Sequence, residues 1–185
     1  IEIAFDFGDP LEIIREVISN AYDARATLLK IYARVEDIDG EDTLILEFID
    51  NGDGMSPDIL ENNFWDLGNS SAKKNPEKIG EKGHGTKIFL RSSKIFVQTV
   101  AEGIATESEC LSPMSNLKKG VMHQPFIRKV VQHPMLEKGT YIRIEGYHNN
   151  QFSKFKQEIV ADYIYWFTKM GSIEKEFGIV PRDFQ

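Results

Sequence analysis

Glu16, Asn20 and Asp23 recur at the spacing of helical turns. Residues four and seven apart point the same way along a helix, so the three define one polar stripe. Ile13, Val17, Ile18, Ala21 and Ala24 form the neighbouring apolar arc, which sets the stripe at the border of a core. A carboxylate at such a border can orient and deprotonate a water, the task of a general base. An amide oxygen beside it can ligate magnesium, which takes hard oxygen donors and keeps several of its waters. Taken alone, the stripe reads equally as the solvated side of an amphipathic helix, where most acidic side chains sit.

A second piece, Asp50-Asn51-Gly52-Asp53-Gly54-Met55, ends an apolar run rich in Leu, Ile and Phe. An aspartate there can accept a hydrogen bond from the exocyclic amine of a base, and the glycines let backbone approach the ring without Cβ collisions. A calcium loop on Asp50, Asp53 and Asp58 fails, because the acidic spacing and the closing glutamate are absent. An ordinary Asn-Gly hairpin turn needs a strand directly after it, whereas Ser56-Pro57 opens a helix.

The third piece, Gly80-Glu81-Lys82-Gly83-His84-Gly85-Thr86, puts glycine amides ahead of a helical stretch. Exposed amides and a helix N-terminus both favour bound phosphate, and Lys82 and Lys87 add point charges. The segment lacks the Gly-Lys-Ser/Thr tail of a Walker A loop, and no βαβ unit surrounds it as in a dinucleotide fingerprint. Alone it also reads as a flexible connection. His84, between two glycines, reads as a backbone-shaping residue. His123, His133 and His148 are too scattered to suggest zinc, and Trp65 and Trp166 read as core.

These pieces need elements to hold them. Ile1 to Phe7 alternates like a short strand, and Asp9-Pro10-Leu11-Glu12 starts a helix that runs to about Arg25, with Asp9 as cap and Glu12 reaching back. Strands follow at Leu28 to Val35 and Thr43 to Ile49, joined by an acidic turn from Glu36 to Asp42 around Asp39-Gly40. Ser56-Pro57-Asp58 opens a short helix, Leu67 to Lys82 reads as a loop, and a helical stretch carries Ile88, Phe89 and Leu90. Further strands are expected at Lys94 to Val100, Ile104 to Glu109, Phe126 to Val131 and Thr140 to Tyr147. Ser112 to Gly120 reads as an exposed loop and Phe152 to Lys169 as an amphipathic terminal helix. Strands and helices mix without βαβ alternation, which points to an α+β layer, one mixed sheet with helices on one face.

At 185 residues and 41% hydrophobic, the chain can bury one good core. Its formal charge of -7 argues against gripping nucleic acid directly. The single cysteine, Cys110, rules out an internal disulfide framework and fits a reducing, cytoplasmic compartment. No apolar run approaches a membrane span. Residues 1–150 read as a nucleotide-binding domain. Residues 151–185 read as a terminal helix and the start of a link to a following domain, as in an excised part of a longer protein.

In this order the pieces resemble the GHKL superfamily of gyrase B subunits, ninety-kilodalton heat-shock chaperones, sensor histidine kinases and MutL mismatch-repair proteins. Glu16 to Ala24 is similar to its asparagine box, Asp50, Gly52 and Gly54 to its first glycine box, and Gly80, Gly83 and Gly85 to its second. Gly139-Thr140-Tyr141-Ile142-Arg143-Ile144 is similar to its late threonine strand. The resemblance covers roughly residues 10 to 147. It implies a Bergerat-type two-layer α/β sandwich, mostly antiparallel, that binds ATP and Mg2+. Glu16 would be the general base and Asn20 the magnesium ligand. Asp23 and Ala24 would line the site, Asp50 would read the adenine amine with Thr140 behind it, and Met55 would pack on the base. Lys82, His84 and Thr86 would join the three glycines around the phosphates, while Leu60 to Ser71, with Asn63, would lead into the ATP lid.

Sensor kinases typically carry asparagine where this chain has Glu16, so the resemblance favours an ATPase over a histidine phosphotransferase. A nucleotide-binding regulator with negligible turnover is the third reading. Implied partners are ATP and ADP, further domains of the same chain in a chaperone-like, MORC-like or mismatch-repair-like machine, and a nucleotide-dependent homodimer.

Overall fold

The expected Asp9-Pro10 start is shifted: the first helix begins at Glu12 with Leu11 at its N-cap and no side-chain cap, and Asp9 holds the turn before it. The computed structural model describes residues 8–65, 85–121, 126–130, 136–168 and 183–184. In it the Asp9 carboxylate accepts the Leu11 amide at 3.0 Å and the Asp9 carbonyl accepts the Glu12 amide at 3.1 Å. Helix α1 then runs Glu12–Asp23 and buries Ile13, Ile14, Val17, Ile18 and Ala21. Glu12 does not reach back to Asp9; its Oε2 is buried with no hydrogen-bond partner among the described residues. The helix ends before Arg25, which takes a left-handed conformation with φ of 57° and donates its amide to the Tyr22 carbonyl at 2.9 Å.

Among the described residues seven strands form one sheet: β1 (Leu28–Ile38), β2 (Glu41–Asp50), β3 (Lys94–Ala101), β4 (Ile104–Leu111), β5 (Phe126–Val130), β6 (Gly139–Glu145) and β7 (Asp183–Phe184). Their order is β5-β4-β3-β6-β2-β1-β7. Neighbours are antiparallel except β7, which lies parallel to β1. On one face Leu46, Ile144, Ile95 and Cys110 stand opposite one another across four strands, all buried. Ile13, Ile14 and Val17 of α1 pack into the same core as Phe155 and Tyr163, the latter on helix α4 (Gln157–Phe167). The other face carries ion pairs beside a smaller apolar cluster of Val100, Ala105 and Leu136. There Arg143 bonds Glu36 at 2.6 Å and Glu145 at 2.9 Å, Arg34 bonds Glu47, and the Tyr141 hydroxyl donates to Glu47 at 2.5 Å. The result is the expected α+β sandwich: a mixed, mostly antiparallel sheet with helices on one face.

Several local expectations are corrected. The β1–β2 hairpin closes on Asp39 and Gly40 alone, both with positive φ (55° and 85°), so the pairing reaches Ile38 opposite Glu41 and the seven-residue acidic turn does not exist. Part of the expected Ser112 to Gly120 loop is helix α3 (Pro113–Lys118), started by a proline whose fixed φ suits a first turn. The terminal helix is split. A 3-10 turn, Phe152–Phe155, is followed by Lys156 in extended backbone before α4 begins. Trp166 is not core but 70% exposed, whereas Trp65 is buried as expected. Among the described residues no helix is long and apolar enough to cross a membrane. The Ile1 to Phe7 strand, Gly80, Lys82, Gly83, His84, His123 and His133 lie outside the described residues.

Candidate functional site

Three chain segments that are distant in sequence converge at one end of the sheet: the C-terminal end of α1, the turn after β2, and the lead into β6. The Ala24 carbonyl accepts the Asp53 amide at 2.8 Å. A Cβ on Gly52 would stand 2.7 Å from the Ala24 carbonyl oxygen and 2.9 Å from Asp50 Oδ1, so only glycine admits this approach. Asn51 joins the same segments from outside the site. Its Oδ1 accepts the amides of Thr27 and Leu28, each at 2.9 Å. Asp53 clamps the rim, bonded by Arg25 at 2.7 Å and Lys138 at 2.8 Å.

Asp50 ends β2 on the helix-facing side, opposite Thr140 of β6. Burial pushes its carboxyl up to about 6, against the amides of Gly52 and Thr140 that hold it down. The Gly52 amide donates to its Oδ1 at 2.8 Å. A carboxylate has about four acceptor sites, so these two amides leave capacity for a further donor. Gly139, at φ of 112°, lets the β6 backbone cross the end of β2, where a Cβ would lie 2.0 Å from the Asp50 carbonyl oxygen.

The polar stripe of α1 is half-buried at Glu16, Asn20 and Asp23. Burial raises the Glu16 carboxyl above its ordinary range, opposed by a hydrogen bond with Asn20 and by Arg15, and assisted by the charge of Asp23. A carboxylate made more basic beside an amide oxygen suits proton abstraction and a hard cation, so the donor set fits magnesium. Met55 is partly buried and packs against the core, with its amide donated to the Thr99 hydroxyl at 2.7 Å.

Asn63 is exposed on a π turn, Leu60–Phe64, that continues helix α2 (Pro57–Ile59) after its Ser56 cap. No hydrogen bond ties it to these segments among the described residues. Gly85 and Thr86 open the expected helical stretch, a six-residue 3-10 helix, Gly85–Leu90, and Lys87 within it is buried.

Sequence reasoning missed Thr99. Its hydroxyl donates to the Gly139 carbonyl at 3.1 Å and lies 3.4 Å from Thr140 Oγ1. The available signal was a polar residue pair, Gln98-Thr99, inside an otherwise apolar strand.

Residues 10–124 match the family described as histidine kinase-, DNA gyrase B-, and HSP90-like ATPase, and the chain belongs to that family. It is also similar to ATPase MORC2B of Mus musculus, 44% identical over 99 residues, which cover 51% of this chain and 9% of that protein. The chain therefore spans about a tenth of the length of this curated relative.

Proposed function

We propose that this chain is a magnesium-dependent ATPase module whose lid closes over the nucleotide and drives a larger multidomain protein. The observation that carries the reading is the half-buried Asp50 carboxylate, set where Gly52 meets Ala24 and left with acceptor capacity. Family membership and the ATPase named for the mouse relative support it.

Asp50 accepts the adenine amine, with Thr140 behind it and Met55 against the ring. Asp23, Ala24, Gly52 and Gly54 line the site. Glu16 takes a proton from water as its oxygen attacks the γ-phosphorus; the bond to the β–γ bridging oxygen breaks, and ADP and phosphate leave. Magnesium, when bound, neutralises phosphate charge, and Asn20 would hold it. Gly80, Lys82, Gly83, His84, Gly85 and Thr86 surround the phosphates, and Asn63 stands at the lid entry. Residues 1–150 form the nucleotide domain in this reading and 151–185 lead towards further domains. We place the work in the cytoplasm, with nucleotide-dependent pairing of two copies.

The test is Glu16→Ala, measured by calorimetric ATP titration with magnesium and by steady-state phosphate release. Retained binding with release lost is expected. Release equal to wild type would remove Glu16 as the base, and no binding by wild type would remove the function itself.

A further inference from the structure

A single buried hydroxyl joins the two backbone segments that flank Asp50. Thr99 is fully buried on β3, directly opposite Thr140, which itself stands opposite Asp50. Its Oγ1 accepts the Met55 amide at 2.7 Å and donates to the Gly139 carbonyl at 3.1 Å. Gly54, at φ of 69°, brings the turn this close: a Cβ there would lie 2.2 Å from the Val100 carbonyl oxygen and 3.1 Å from Thr99 Oγ1.

Register alone does not produce both contacts. Thr106 stands opposite Thr99 on the next strand and is equally buried, yet its hydroxyl has no hydrogen-bond partner among the described residues. The Met55 bond therefore follows from the approach of the turn, and the Gly139 bond from the β3–β6 pairing.

We propose that Thr99 is a positioning residue for recognition of the base, acting through Met55 and Thr140 without touching the nucleotide. Its hydroxyl sets the distance between the turn carrying Gly52 to Met55 and the lead into β6, and so shapes the space in front of Asp50. The proposal rests on the ATP reading above. Removing the hydroxyl leaves the part-buried Met55 amide without its acceptor and removes the contact with the Thr140 hydroxyl. The consequence is weaker and less selective base binding with the phosphate chemistry left intact.

The experiment compares wild type, Thr99→Val, Thr99→Ser and Thr106→Val in magnesium-ATP and magnesium-GTP titrations, with steady-state hydrolysis alongside. Thr99→Val is expected to weaken ATP binding about tenfold, the order of the loss when one partly buried donor loses its acceptor. Its preference for ATP over GTP should fall while kcat stays within about threefold. Thr99→Ser keeps the hydroxyl and should bind ATP within about threefold of wild type; Thr106→Val should bind unchanged.

Equal ATP binding by wild type and Thr99→Val overturns this inference and leaves the ATPase reading standing. No binding by wild type overturns both. Should Thr99→Val fail to fold, Thr99→Ser decides alone: a tenfold loss there shows that the hydroxyl is not the operative group, and retention supports it.

Discussion

The Ala24 carbonyl accepts the Asp53 amide at 2.8 Å, which fastens the end of the first helix to the turn after β2. Through this bond the acidic stripe of α1 and the buried carboxylate of Asp50 are held by one short piece of backbone. The Asn51 side chain reinforces the joint by accepting the Thr27 and Leu28 amides.

Gly52→Ala tests the joint. Its Cβ would meet the Ala24 carbonyl oxygen at 2.7 Å and the Ala24 Cβ at 2.8 Å, so helix and turn must separate. Overpacking of this kind costs about 1–3 kcal/mol. Thermal melting should show that loss and calorimetry a weakened ATP affinity. Gly8→Ala, in open space, should melt within about 0.5 kcal/mol of wild type.

If Asp50 accepts the adenine amine as proposed, ATP binding should depend on pH. Its carboxyl, pushed up to about 6, must be ionised to accept an amine, so affinity measured between pH 8 and 5 should fall as pH drops through about 6. The stability of the nucleotide-free protein carries the opposite sign. A raised carboxyl pKa contributes stability that is full below its unfolded value, 3.8, and lost as pH rises through about 6. Asp50→Asn should abolish both dependences. An unchanged affinity profile in that variant would remove Asp50 from base recognition.

Glu16 should impose its own profile on turnover. With its carboxyl raised by burial, saturating-ATP hydrolysis should rise with pH through an inflection above the ordinary carboxylate value of 4.5. Glu16→Gln should remove the inflection along with most of the rate. A profile that persists in Glu16→Gln would assign it to another group.

The two tryptophans should separate cleanly in melting experiments. Trp65 is 8% exposed and packs edge-on against Phe64, so Trp65→Ala should cost about 3–5 kcal/mol. Trp166 is 70% exposed, and Trp166→Ala should stay within about 0.5 kcal/mol. Similar losses in both would place Trp166 in a packed environment.

Much of the fold was legible because local rules and tertiary needs agreed. The α1 arc from Ile13 to Ala21 and the apolar strand ending at Asp50 each obey one periodicity and form as expected. The hairpin tip was misread because Glu36, Asp37, Glu41 and Asp42 are polar on both sides of the strands there, which erases alternation while leaving backbone pairing intact. Helix α3 was missed although Ser112-Pro113 repeats the signature of Ser56-Pro57. At the site, residues on one helix or one turn could be read from spacing. Thr99 could not, because its value comes from the β3–β6 register and from the approach of Gly54, both long-range.

The strand carrying Asp50 is bonded on both sides, by β1 and by β6. Amides of such an interior strand exchange with solvent hydrogen only through wide opening of the sheet. Deuterium uptake around Leu46 and Phe48 should thus be among the slowest in the molecule. The proposed base-reading carboxylate is thus anchored in the part of the protein expected to yield last. In that reading, partial unfolding at the periphery would leave the Asp50 carboxylate in place.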